Sequence, residues 1–183
     1  LRARIVGVAE DRDYYYDVGH RRKFLAYGTV EWNITPRTVL AATVKWQDVR
    51  DDGTYMGVPR YADGGELPIP RSRYPGAEWS GRNWNNVQTF VELKHGFGRD
   101  WEAKVAVSRI VGDSDMTYAS AFGAVNRATG LGPVLFGGAY DFRNRETDLD
   151  GYVSGGFDLL GQRHQILIGA NYWDGHTKQV SYN

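Results

Sequence analysis

Apolar and polar positions alternate along TVLAATVKWQD, residues 38 to 48: Leu40, Ala42, Val44 and Trp46 share one face, and Ala41, Thr43, Lys45 and Gln47 share the other. A period of two predicts a strand with one apolar face. Seven segments carry this pattern, at approximately 1–9, 22–34, 38–49, 86–96, 101–111, 147–159 and 164–174. In the second, Phe24, Ala26, Gly28, Val30, Trp32 and Ile34 oppose Tyr27, Thr29, Glu31 and Asn33. In the fourth and fifth, Val87, Val91, Leu93 and Phe97, then Trp101, Ala103, Val105 and Val107, lie opposite Gln88, Glu92, Lys94, Glu102, Lys104 and Ser108. The sixth sets Leu149, Val153 and Phe157 against Asp148, Asp150 and Asp158; in the seventh Ile166, Ile168, Ala170 and Tyr172 form the apolar side. No segment reads as a long amphipathic helix.

The connections alternate in length. ITPRT (34–38), GFGRD (96–100) and LGQR (160–163) predict tight turns, whereas 10–21, 50–85 and 112–146 predict long links. Short turns at one end and long loops at the other are the habit of an up-and-down barrel in an outer membrane. Phe24 and Trp32, eight residues apart on one face, are about 26 Å apart along a strand. At a tilt of about 40° that is roughly 20 Å of height, close to the ~25 Å apolar band between two aromatic girdles. The predicted fold is therefore all-β: an antiparallel up-and-down transmembrane β-barrel whose apolar face meets lipid. A soluble β-sandwich, such as a carbohydrate-binding module, gives the same alternation with that face turned into a core.

Composition narrows this only a little. The chain has 183 residues, 22 basic and 22 acidic side chains, no cysteine, 14% aromatics and 23 glycines. The balanced charge gives no pull toward nucleic acid, and the missing cysteines exclude disulfides and thiolate metal sites. No apolar run approaches the roughly 18 residues of a spanning helix. Enzyme signatures are absent: there is no G-x-S-x-G, P-loop or G-x-G-x-x-G. The four histidines (His20, His95, His164, His176) are scattered. DLDG at 148–151 lacks the later ligands of a calcium loop, and NIT at 33–35 falls in a tight turn. No catalytic residue, metal ligand or cofactor is assigned.

The chemistry-bearing stretch is the 50–85 loop, which holds Tyr55, Arg60, Tyr61, Arg71, Arg73, Tyr74, Trp79, Arg82 and Trp84. Aromatics with arginines can hold a flat, anionic or chelated ligand by stacking and charge-assisted hydrogen bonds. The same residues could instead fold the loop onto its neighbours. For YYY at 14–16, loop packing is the favoured reading.

Taken in series, RARIVGVAEDRDYYYD, GTVEWNITPRTVLAATVKWQ, GVPRYADGGELPIPRS, EWSGRNWNN, VELKHGFGRDWEAKVAVSR and LGQRHQILIGANYW resemble the TonB-dependent outer-membrane receptors for ferric siderophores, of the ferric-coprogen and ferripyoverdine type. The resemblance covers nearly the whole chain. It implies about seven strands of a 22-stranded, plugged barrel, with the plug domain and the C-terminal strands not represented in 1–183. It implies a bacterial outer-membrane location and three partners: a ferric siderophore, the TonB complex through the plug, and outer-membrane lipid. Iron would arrive already chelated, so the protein needs no cofactor. The ligand contacts expected within this chain are Tyr55, Arg60, Trp79, Arg82 and Trp84. The rival readings are a porin or adhesin-type barrel without TonB and the soluble sandwich.

Overall fold

A computed structural model describes residues 1–54 and 56–182. It contains β1 (Arg2–Asp13), β2 (His20–Thr35), β3 (Thr38–Asp52), β4 (Gly81–Phe97), β5 (Trp101–Phe122), β6 (Val134–Leu159) and β7 (Gln162–Tyr182). They form one seven-stranded sheet in sequence order, every pair antiparallel. This is the meander expected of an up-and-down barrel wall.

The tight turns fall where predicted. Leu160 (φ 54°) and Gly161 (φ 74°) join β6 to β7; left-handed backbone at both central residues matches the right-handed twist of the flanking strands. Gly98 (φ 59°) serves the β4–β5 turn. Pro36 and Arg37 join β2 to β3, and Gly96 N–H donates to the Arg37 carbonyl at 2.7 Å, tying that turn to β4.

The register gathers the predicted apolar residues on one face. Val30 pairs with Ala42, Ala42 with Val91, Val91 with Val107, Val107 with Leu149, and Leu149 with Tyr172. Directly opposed residues in an antiparallel sheet share a face, so this row is continuous from β2 to β7. Near the tight turns the same face carries an aromatic line. His95 stacks on Phe97 (6.3 Å), Phe97 on Trp101 (6.1 Å), and Phe157 on His164 (5.5 Å). The Trp101 ring lies across Gly155, where a Cβ would come within 2.2 Å of it; only glycine lets the indole lie flat there.

The other face holds the charges, paired with one another. Lys104 lies 3.6 Å from Glu92 and 3.2 Å from Asp150, and Lys94 lies 3.2 Å from Glu92. Tyr152 donates to Glu102 at 2.6 Å, and Thr43 to Thr29 at 2.9 Å.

Among the described residues no second layer covers either face. Val44 is 48% exposed and Val105 55%, and the buried hydrophobic residues are confined to Val49, Tyr74, Ala106, Tyr118, Ala119 and Val125. The sandwich reading needs a second sheet on the apolar face, and none is present among these residues. A one-layer sheet with one apolar and one ion-paired face has the anatomy of a barrel wall with lipid outside and a wet lumen inside.

The long links are shorter than expected. They occupy 14–19, 53–80 and 123–133 rather than 10–21, 50–85 and 112–146. The strands run on past the point where alternation fades. Above the apolar band both faces are polar, as with Asp113 and Ser114 on β5, so side-chain pattern no longer marks the strand while the backbone ladder continues. β5 has 22 residues and β6 has 26, about twice the 9–11 that cross a membrane. The surplus stands clear of the band on the long-loop side.

Nitroxide labels test this orientation. A label at Val44 in bilayers should be accessible to oxygen, and one at Lys45 to a water-soluble quencher; the reverse would turn the sheet inside out. Val44→Arg should cost about 2–4 kcal/mol if its height is near the bilayer midplane, measured by equilibrium unfolding in lipid.

Candidate functional site

At the long-loop end, the charged face of the sheet meets the loops. The register sets Arg21 opposite Asp51, and Asp51 opposite Arg82. Arg21 donates to both Asp51 carboxylate oxygens, at 2.5 and 2.7 Å. This is the two-pronged geometry that makes an arginine–carboxylate pair rigid. The Arg21 guanidinium also lies 5.7 Å from the Trp84 ring centre and 5.8 Å from Tyr14. Arg82 lies over Trp84 at 4.9 Å. Two arginines therefore flank one indole, at distances where the ring quadrupole attracts a cation. They differ in one respect. The Arg21 fork is taken by Asp51, whereas Arg82 makes no ion pair with any described residue, and its donors are available to an anion.

Behind this trough stands a tyrosine stack. Tyr14 stacks on Tyr16 (5.3 Å, 9° between planes), and Tyr16 on Tyr74 (5.9 Å, 18°). Tyr16 donates to the Gly53 carbonyl at 3.1 Å and Tyr74 to the Thr54 carbonyl at 3.0 Å. Asp17 N–H donates to the Ser72 carbonyl at 2.7 Å. The stack thus ties the 14–19 turn to both ends of the 53–80 loop. Val18, a β-branched residue, is held at φ 71°, a conformation that costs free energy unless its surroundings impose it.

The 53–80 loop is also fastened to the β5–β6 hairpin. Arg127 donates to both Asp63 oxygens (2.7 and 3.2 Å) and covers the Tyr61 ring at 3.9 Å. Val125 N–H donates to the Arg60 carbonyl, Ala62 N–H to the Val125 carbonyl, and Ala77 N–H to the Ala119 carbonyl. The Arg127 hydrogen bonds, helped by Gly65 N–H, hold the Asp63 carboxyl below its ordinary value.

Of the expected contact residues, the fold brings Arg82 and Trp84 together. Arg60 lies apart, 3.5 Å from Glu66, beside a pocket of about 460 Å³ lined by Pro59, Leu67, Ile69, Pro70 and Arg71. Trp79 is 64% exposed, and its carbonyl accepts from Thr117; among the described residues its ring stacks on no aromatic or cation. Tyr55 lies outside the described residues. Sequence reasoning missed Arg21, Asp51 and Tyr14, because only the register of three strands brings them to Trp84. The 14–16 tyrosines pack loops, as read. Among the described residues no group of three or more His, Asp or Glu is arranged to hold a metal.

Comparison with known proteins follows from this geometry. No family model matches the chain. It is 37% identical over 172 residues to the ferric-pyoverdine M114 receptor PbuA of Pseudomonas sp. strain M114, covering 93% of this chain and 21% of that protein. It is 25% identical to the ferripyoverdine receptor of Pseudomonas aeruginosa over 188 residues, covering 100% of this chain and 23% of that protein. The pyoverdine outer membrane receptor FpvA from P. aeruginosa PAO1 bound to pyoverdine superposes with a TM-score of 0.87 at 23% identity, over 98% of this chain and 26% of that one. BauA, the ferric preacinetobactin receptor of Acinetobacter baumannii, superposes with a TM-score of 0.81 at 17% identity, again over 98% of this chain and 26% of that one. The chain spans about a fifth of the length of the curated relatives it matches.

Two outcomes test the site's construction. Burial, with Tyr14 and Asp51 nearby, raises the Tyr16 phenol from 10.0 to about 12. A raised acid stabilises the fold below its unfolded pKa, and that contribution is lost as pH climbs from about 10 to about 12. The tyrosinate absorbance that Tyr16→Phe removes should therefore rise near pH 12; a rise near pH 10 instead would contradict the buried stack. Arg127→Ala should speed tryptic cleavage after Arg60, Arg71 or Arg73 severalfold, and unchanged cleavage would show that the backbone bridges alone hold the loop.

Proposed function

We propose that this chain, homologous to one stretch of the ferric-pyoverdine receptors and folded as part of the barrel of TonB-dependent siderophore receptors, belongs to an outer-membrane receptor that captures a ferric siderophore and passes it inward with energy relayed by TonB. In this reading the seven strands are one wall of a larger plugged barrel. The observation that carries it is the match to PbuA over 93% of the chain, joined to a sheet whose apolar face runs unbroken across the strands.

The mouth cluster supplies the chemistry of capture. Arg21, fixed by Asp51, stiffens one side of Trp84. Arg82 offers its fork to an anionic chelate oxygen, and the indole offers a stacking face. Tyr55, Arg60 and Trp79 are loop-borne contacts for the same ligand, with the exposed Trp79 ring a second stacking surface. Capture and passage break no covalent bond, so the receptor carries no catalytic group. A porin or adhesin would not need an arginine held ready beside a rigid aromatic at the mouth.

Arg82→Ala and Trp84→Ala in the full-length receptor test this reading. Each should weaken ferric-siderophore binding roughly 5- to 30-fold, the loss expected for a buried anchor, while heat stability stays near wild type. Binding within twofold of wild type for both variants would move recognition to other parts of the receptor.

A further inference from the structure

On the inner face at the mouth, β5 carries little side chain beside Trp84. The register sets Trp84 opposite Ser114 and Ser114 opposite Phe142. In the next row below, Asn86 lies opposite Gly112 and Gly112 opposite Asn144. Directly opposed residues share a face, so Gly112 and Ser114 form the floor of a slot. Trp84 and Asn86 make one wall, and Phe142 and Asn144 make the other. Met116, opposite Arg82, closes the upper end. A glycine inside a strand weakens it and marks a place where something approaches closely. For Gly112 part of that approach is β4 itself, because a Cβ there would meet the Asn85 carbonyl at 3.0 Å and the Asn86 Cβ at 3.1 Å. Ser114 has no such neighbour to explain its size, and among the described residues its hydroxyl makes no hydrogen bond.

The width of the slot identifies what fits it. Trp84 and Phe142 stand on strands two ladder steps apart, with Cα atoms about 10 Å from each other. Flat groups pack at about 3.5 Å, so one planar ring fits between the walls and two do not. Both walls are braced. Arg21, fixed by Asp51, supports the indole from the β2 side. The Phe142 ring lies against Tyr140 (6.2 Å, 20° between planes), and Tyr140 against Tyr118 (6.1 Å, 10°). Below the rings, Asn144 is committed, donating to Glu146 at 2.6 Å and accepting from Thr177 at 2.8 Å. The Asn86 amide makes no hydrogen bond among the described residues and is available to a polar ring edge. Floor and walls carry no charge. We propose that Ser114 is a specificity-determining residue: its small side chain keeps the slot open for one flat, uncharged aromatic arm of the siderophore, while Arg82 at the upper end takes the anionic chelate. The inference rests on the siderophore-receptor reading above and adds to it the shape of the arm that is selected.

The test uses the full-length receptor and two synthetic ferric chelates of equal charge. One has aliphatic hydroxamate arms throughout; in the other a single arm is replaced by a flat hydroxyquinolinate. Wild type should bind the flat-armed chelate about tenfold more tightly, the gain of a ring packed between two aromatic walls. Ser114→Leu, which fills the slot, should erase that preference, weakening the flat-armed chelate about tenfold and the aliphatic one by less than about threefold. Ser114→Ala, no larger than serine, should keep both affinities within about twofold of wild type. Phe142→Ala, which removes one wall, should cut the preference about fivefold. Glu31→Gln, on the inner face near the short turns, should leave it unchanged. If Ser114→Leu does not fold, the wild-type preference and its loss in Phe142→Ala decide the matter. Equal wild-type binding of the two chelates would overturn the proposal. So would a preference that survives in folded Ser114→Leu or Phe142→Ala, or an equal loss of both chelates in Ser114→Leu. Failure of the receptor reading looks different: wild type would bind neither chelate nor ferric pyoverdine, and the slot would fall with it.

Discussion

A sheet one layer thick must satisfy its backbone internally and find cover for its apolar face elsewhere. Here the backbone is satisfied laterally, in six antiparallel ladders between seven strands. The apolar face is covered by nothing in the described chain. Burying such a face in hydrocarbon removes Val44, Val105, Leu149 and their neighbours from water at about 25 cal/mol per Å². A closed or laterally continued sheet is the one β-architecture that tolerates this. The aromatic line at the tight-turn end and the ion pairs on the inner face both follow from which face meets lipid.

The constraint also explains where the recognition chemistry sits. Within the band, the charged face neutralises itself: Lys104 is shared between Glu92 and Asp150. Above the band the strands continue, and the inner face can hold uncommitted groups because water reaches them. Arg82 is such a group, held against Trp84 at 4.9 Å. Its neighbour Arg21 is spent on Asp51 and acts as a fixed wall. The loops do not hang free over this trough. The Tyr14–Tyr16–Tyr74 stack and the Arg127–Asp63 pair fasten them to each other and to the strand ends, which lowers the ordering cost when a ligand arrives.

Strand identity, facing and the short-turn end were legible in the sequence, because a period of two survives wherever one face is apolar. Residues 38–48 announce β3 almost to its ends. Legibility failed where both faces turn polar. The upper halves of β5 and β6 read as loop, since Asp113, Ser114 and Asp115 carry no alternation, yet their backbone stays in the ladder. The site was half legible. Trp84 and Arg82 stand close together in the chain and could be found. Arg21, Asp51 and Tyr14 join them only through cross-strand register, which a single sequence does not display. Arg60 and Trp79 sit on the 53–80 loop outside the Arg21–Trp84–Arg82 cluster, Arg60 beside Glu66 and Trp79 with its ring exposed, an arrangement that residue type alone does not reveal.

Tryptophan quenching by brominated lipid tests the central claim, that one face of this sheet meets hydrocarbon, most directly. Full-length receptor variants keeping a single tryptophan, at Trp46, Trp101 or Trp84, would be reconstituted in bilayers with bromine along the acyl chains. The account predicts strong quenching of Trp46 and Trp101, which lie on the apolar face, and none of Trp84. Quenching of Trp84 with Trp46 and Trp101 unaffected would contradict it and place the apolar face inside a protein core.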